Sequence, residues 1–368
     1  MAKEVFLYFL KLGTTGFGGP LATISIMQRE LIQERQWMKK EDFLGTLSLI
    51  KAMPGPVSFQ TSVFLGHRRA GWKGALLAAF GLILPSFLMM LALAYALPYL
   101  EGTEGFASWL QGFQIAALVV ILSSLRSFLE LHWRHFDFWI CVLLGIVTSH
   151  FRPFLEPLII LSCGLILASP LLPRRTLTLL PLFADPLGPL FWTMLKAGAL
   201  VFGTGLAIIP ILEADVVQNH QWIRHSEFMT AVAFGQITPG PVVIAATLIG
   251  FQVAGFGGAL LATLGIFLPS FIHMTTWFPR AVEWLRQQKW ITDFTRGALG
   301  AVVGSLFAVV LRLGGSTSWD PPAYLTVLVL APAIWLWRWP SWALIGGGGF
   351  TYALGRSLMV YLEGANAQ

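Results

Sequence analysis

Charge is what this chain lacks. Only 11% of its 368 residues are Asp, Glu, Lys or Arg, about half the share of a soluble globular domain. Most of the chain therefore has no ordinary water-facing surface. Cysteine is nearly missing: Cys141 and Cys163 are the two present, both in apolar stretches, and they form no Cys-x-x-Cys pair. They read as small buried hydrophobes rather than redox or metal-binding groups. The seven histidines are scattered without ligand spacing. With no cofactor motif either, the expected cofactor is none, the expected metal is none, and the chain is not read as an enzyme. The net charge of +6 fits loops that face a cytoplasm and its anionic lipids. No soluble basic domain exists, so nucleic acid is not an expected partner.

Apolar residues fill the gap. They make up 56% of the chain, the mean hydropathy is +0.71, and several runs approach the roughly 20 residues that span a bilayer. The expected class is an all-α polytopic membrane protein in contact with the lipid bilayer. Met1-Ala2-Lys3-Glu4 leads straight into the first apolar stretch, so no cleavable signal peptide is expected. Each half shows about six apolar elements, near 5–25, 43–65, 75–97, 112–128, 138–148 and 154–172, then near 190–212, 228–249, 259–277, 294–311, 323–337 and 342–362. A Pro/Arg-rich linker with Arg174, Arg175 and Asp185 separates them. The expected organisation is an N-terminal repeat over 1–172, a linker over 173–189 and a C-terminal repeat over 190–368.

The halves are an internal duplication. At an offset of 185 residues they pair Lys11 with Lys196, Gly13 with Gly198, Phe17 with Phe202, Gly18 with Gly203, Trp37 with Trp222 and Phe43 with Phe228. One deletion then shifts the offset to 184, which pairs Gly66 with Gly250 and Leu84-Pro85-Ser86-Phe87 with Leu268-Pro269-Ser270-Phe271. Similarity fades beyond Phe128. Loop charge gives orientation. Between the second and third elements the first half has Arg68, Arg69 and Lys73, and the second half has no charge there. Between the third and fourth elements the bias reverses: the first half has Glu101 and Glu104, whereas the second has Arg280, Arg286 and Lys289 against Glu283 and Asp293. Positive residues mark the cytoplasmic side, so the repeats are expected to be inverted in the membrane.

By type and place, the broken helices are the features that point to chemistry. Met53-Pro54-Gly55-Pro56 and Thr238-Pro239-Gly240-Pro241 interrupt equivalent apolar runs. Proline removes a backbone donor and glycine weakens a helix, so each run should split into half-helices meeting near the membrane midplane. Proline also favours a helix start, so new helices are expected from Val57 and Val242. Such starts present unpaired N–H groups and a positive dipole end, the parts of an anion site. Gly18, Gly19 and Pro20, with Gly203, Thr204 and Gly205, form a second set of breaks. Unwound backbone at a ligand and close helix packing are the two readings there.

Lys51 lies just before Pro54 in an apolar run and is read as an anion-facing charge, against snorkelling or ion pairing. Its repeat mate is Gln236. Ser58, Gln60, Thr61, Thr14, Thr204, Gln236 and Thr238 supply neutral donors near the breaks, although membrane hydroxyls most often bond their own backbone. Lys11 and Lys196 read as snorkelling. Arg126 and Arg312 read as interfacial anchors or as the rim of an anion vestibule. The stretch 28–42 reads as an interfacial helix anchored by Trp37. Glu30, Glu34, Glu213 and Asp215 read as a solvated face, with proton relay as the sharper alternative. Physics alone leaves the sign of the substrate open, because each break also presents a carbonyl-rich helix end.

The duplicated Phe17-Gly18-Gly19-Pro20, Trp37, Met53-Pro54-Gly55-Pro56, Trp222 and Thr238-Pro239-Gly240-Pro241 resemble the chromate ion transporter family in its long, two-domain form. The second half departs at Thr204-Gly205, where Gly-Pro would stand. The resemblance implies a secondary transporter in the cytoplasmic (inner) membrane that exports chromate, confers chromate resistance and is related to sulfate transport. Chromate or a sulfate-like oxyanion is then the expected partner, and a homodimer is compatible with the reading. The competing readings are a transporter of sulfate or another ion, an anion channel, and a membrane-embedded chromate reductase. The last is opposed by the missing cofactor motif.

Overall fold

The computed structural model describes residues 1–168, 187–202, 205–285, 287–288, 290–337 and 339–366, and every regular element among them is helical. The expected linker lies outside the described residues as far as 186. Helix α1 (Ala2–Thr15) buries Val5, Tyr8, Phe9 and Leu12 along one stripe, the helical spacing of a half-buried face. It stops at the glycines, and α2 (Gly19–Met27) starts after Gly18 at φ 101, so the first apolar element is two helices. A π-helical turn, Gln28–Glu34, follows. The single interfacial helix expected over 28–42 does not form. Gln36 turns the chain at φ 52, and Trp37 packs beneath the Arg69 guanidinium, 5.3 Å from its ring, and 6.0 Å from the Tyr8 ring.

The second apolar element splits as its prolines dictate, into α3 (Lys40–Ala52) and the start of α4 (Val57–Glu101). Then come α5 (Glu104–His132), α6 (Phe136–Phe151), a short turn at Pro153–Leu155 and α7 (Glu156–Ala168). The second half gives α8 (Leu187–Leu200), a turn at Gly205–Ile208, α9 (Ile209–Leu212), a π-helical turn at Glu213–Asn219 and α10 (His225–Ile237). A turn at Val242–Ile244 leads into α11 (Ala245–Thr275), followed by α12 (Phe278–Leu285), α13 (Trp290–Gly315), α14 (Pro321–Trp335) and α15 (Ser341–Asn366).

Helix α4 is not one straight rod. At Ala70 (φ −145, ψ 27) and Gly71 (φ 60, ψ −150) the chain leaves helical geometry, and Ala254 and Gly255 repeat those angles in α11. The chain doubles back there. A Cβ placed on Gly66 would lie 2.5 Å from the Gly74 carbonyl oxygen, and one on Gly250 would strike the Gly258 carbonyl. Each repeat therefore carries a half-helix that starts at Pro-Gly-Pro, folds over a sharp turn and continues as a long apolar helix. At about 1.5 Å per residue the arm 72–101 reaches about 45 Å, enough to cross a bilayer.

The two repeats interlock. Helix α1 packs on α4 and α8 on α11, within each repeat, and α4 packs on α11 between them. The later helices cross over: α13 packs against α6 and α7 of the first half, while α5 packs against α14 and α15 of the second. Helices within 57–101, 105–130, 242–275 and 290–315 are long and apolar enough to cross a membrane. Large apolar side chains such as Leu143, Leu158, Leu328 and Leu354 stand exposed around the outside. This is a multi-pass membrane protein.

Candidate functional site

The two Pro-Gly-Pro breaks are tied to the opposite repeat by matching bonds. The Gly55 N–H donates to the Val201 carbonyl at 2.5 Å, and the Gly240 N–H donates to the Gly16 carbonyl at 3.3 Å. Gly16 and Val201 are themselves repeat mates, each following the first helix of its repeat. Gly55 has φ 132 and Gly240 has φ 99, angles that L side chains rarely adopt. Space excludes a side chain as well. A Cβ on Gly240 would lie 2.5 Å from Ser86 Oγ, and one on Gly55 would collide with Ser270 Oγ and the Gln60 amide.

Ser86 and Ser270 are thus part of the site, one on each long arm. Sequence reasoning recorded them in the duplicated Leu-Pro-Ser-Phe without giving them a role; a buried hydroxyl repeated in both halves was the available signal. Ser86 Oγ donates to the Pro239 carbonyl at 2.5 Å. The Pro54 carbonyl is satisfied instead by Gln60 Nε2 at 2.6 Å. Gln60, expected as one of the neutral donors near the breaks, is fully buried and has no polar mate in the second half.

That division leaves polar atoms without partners. Ser270 Oγ, Ser58 Oγ, Gln60 Oε1 and both amide atoms of Gln236 are buried and make no hydrogen bond. Ser58 sits in the first turn of α4, Gln236 in the last turn of α10, and Ser270 against Gly55. An unpaired buried polar group costs about 1–3 kcal/mol, and here several flank the same pair of breaks. Thr238 behaves as the plainer reading has it, with its hydroxyl bonded to the Gly235 carbonyl at 3.3 Å. The helix starts fall where expected, at Val57 and Val242. Gly205 opens the neighbouring turn, and its Cβ position lies 3.3 Å from the Val242 side chain. Gly19 and Pro20 lie in the first turn of α2 behind Gly18. Gly203 and Thr204 lie outside the described residues. Lys51 stands exposed at the end of α3 and makes no ion pair among the described residues.

An apolar groove of about 390 Å³ runs between the long arms of α4 and α11, lined by Phe59, Phe80, Phe87, Leu264, Phe267 and Phe271. It offers almost no polar group and is unsuited to an ion. The breaks, with hydroxyls, an amide and helix starts, offer neutral donors and positive dipole ends, which suit an anion.

The ionic groups fall elsewhere. Lys11 pairs with Glu30 at 4.0 Å and Lys196 with Asp215 at 2.5 Å, so neither lysine only snorkels. Arg126 forms an exposed pair with Glu130. Arg312 is mostly buried and reaches Glu213 Oε2 at 2.7 Å. Glu213 and Asp215 are 0% and 4% exposed, which overturns the solvated-face reading for the second repeat.

Comparison with known proteins agrees with this architecture. The sequence profile described as Chromate transporter matches twice, over residues 3–168 and 188–353. A "Probable chromate transport protein" of Synechococcus elongatus is 33% identical over 353 residues, covering 90% of each chain. A "Chromate transport protein" of Cupriavidus metallidurans is 32% identical, covering 89% of this chain and 86% of its own. Another of that name from Pseudomonas aeruginosa is 30% identical, covering 92% and 88%. No solved structure matches the chain. Two profile matches that span both repeats, with relatives aligned over nearly the whole length, place the chain in the chromate transporter family, a family of transport proteins rather than enzymes.

Proposed function

We propose that this protein carries chromate, or another tetrahedral dianion of its size, out of the cytoplasm across the cytoplasmic (inner) membrane and so confers chromate resistance. The observation that carries this reading is the reciprocal pair of bonds, Gly55 to Val201 and Gly240 to Gly16, set among unpartnered donors at Ser58, Gln236 and Ser270. The anion binds between the two breaks. Each helix start contributes about 0.3–2 kcal/mol and each hydrogen bond to a charged group about 1.5–3 kcal/mol. Several such terms together offset the several kcal/mol that burying an ion costs after relaxation. Lys51, exposed just ahead of the break, attracts the anion towards the site. The two repeats, inverted in the membrane, exchange access by rocking about the α4–α11 contact. The site is built within one chain, so a homodimer is not required for transport.

An inside-negative potential favours export, by roughly 2.3 kcal/mol per charge per 100 mV. The test is labelled-chromate uptake into everted membrane vesicles under an imposed potential, with and without excess sulfate. Protein-dependent accumulation that sulfate inhibits is expected. No accumulation at any potential would overturn the exporter reading, and large steady currents without saturation would favour a channel.

A further inference from the structure

Away from the breaks, residues of the second repeat meet Ser149 and Glu156 of the first in a buried ionic cluster that the anion site does not use. Arg312 of α13 donates to Glu213 at 2.7 Å, to the Ser149 carbonyl at 2.6 Å and to the Ser149 hydroxyl at 3.2 Å. Gln218 Nε2 holds the other Glu213 oxygen at 2.8 Å, with His225 Nδ1 3.6 Å away. Lys196 of α8 pairs with Asp215. Glu156, at the start of α7, is 0% exposed, and among the described residues neither of its carboxylate oxygens makes a hydrogen bond of good geometry. The Ser149 hydroxyl, which Arg312 also contacts, lies within reach of it, and the charges of Arg312, Glu213 and Asp215 lie nearby. Arg152, beside it in sequence, is exposed.

Charge balance singles out Glu156. The cluster holds two permanent cations, Lys196 and Arg312, and three carboxylates. Each cation already has its own partner, Asp215 or Glu213, so among the described residues the third carboxylate has no cation of its own. An unpaired carboxylate is expensive to bury as an anion and far cheaper with a proton on it. The equivalent positions of the first repeat form no such cluster among the described residues. The mates of Lys196 and Asp215 are Lys11 and Glu30, 4.0 Å apart with the Lys11 side chain 66% exposed, and the mate of Glu213 is Gln28. The shared fold therefore does not demand buried charge here. For stability alone, apolar groups of similar size would serve as well or better. Lys196 and His225 have side chains 40% and 36% exposed and form a wet rim, from which Asp215 and Glu213 lead inward to Glu156.

We propose that Glu156 is a proton-binding site, loaded and emptied through this rim, which couples proton movement to the anion cycle. The coupling rests on the transport reading above; the proton site itself does not. When α13 and the turn at Glu213–Asn219 shift relative to α7, Arg312 exchanges its partner. Glu156 then loses its proton as Arg312 approaches and regains it as Arg312 returns to Glu213.

The protein is reconstituted in liposomes with a trapped pH indicator, the potential is clamped at zero, and chromate flux and internal pH are recorded together. Wild type should show proton movement tied to chromate flux. Glu156→Gln should keep chromate flux and lose the proton movement, and Glu156→Asp should restore it. Chromate flux without proton movement in wild type, or proton movement unchanged in Glu156→Gln, would overturn the coupling while leaving the transport reading intact. A second arm needs no transport. Infrared difference spectra of the purified protein on a pH jump should show a protonated carboxyl band that Glu156→Gln abolishes. A band that survives the substitution, or none in wild type, would overturn the proton site, and it does so even if no chromate moves.

Discussion

Ser86 and Ser270 hold equivalent places in the two repeats and differ in what they bond. Ser86 satisfies the Pro239 carbonyl, whereas Ser270 has no partner. Ser86→Ala should therefore leave a buried carbonyl unpaired and lower stability by about 1–3 kcal/mol. Ser270→Ala should change stability little and weaken oxyanion binding instead. Thermal unfolding and anion binding of both variants check this; equal losses of stability in the two would contradict it. The Pro-Gly-Pro breaks at this scale were legible because proline and glycine act locally on the backbone. The role of Ser86 was not, because it depends on a carbonyl 153 residues away in sequence that the fold brings to it. Arg312 was likewise opaque, since its carboxylate partner lies 99 residues away in sequence.

Among the elements, the doubled-back helices α4 and α11 set the site, because each turn returns the chain from a Pro-Gly-Pro start to the arm that carries Ser86 or Ser270. Gly71 and Gly255 hold a backbone conformation open to little but glycine, and nothing lies within 4 Å of where their Cβ would be. Alanine at either should cost about 1–3 kcal/mol from backbone strain alone. Gly105→Ala, also in open space but at ordinary helical angles, should cost nothing. Thermal unfolding in detergent separates the cases, and a neutral Gly71→Ala would contradict the turn. The paired Ala70-Gly71 and Ala254-Gly255 lay in plain view, but their surroundings read as a loop between separate spans. Nothing local announces that Gly66 and Gly74 press together. The expected helix over 28–42 failed for a similar reason, since Trp37 finds Arg69 only in the folded chain.

At the scale of the whole molecule, duplication was the legible part: the offset alone predicted equivalent breaks, and the bonds from Gly55 and Gly240 connect them in matching fashion. The crossing of α5 and α13 into the opposite half was not legible, because sequence similarity fades before those helices end. Each break is bonded to the opposite repeat, and the central claim is that the two form one anion site rather than two. The most direct test is equilibrium binding of labelled chromate to the purified protein, beside the single variants Gly55→Ala and Gly240→Ala. One anion per chain is expected, lost in either variant alone. Two anions per chain, or a variant that keeps half of the binding, would contradict a shared site.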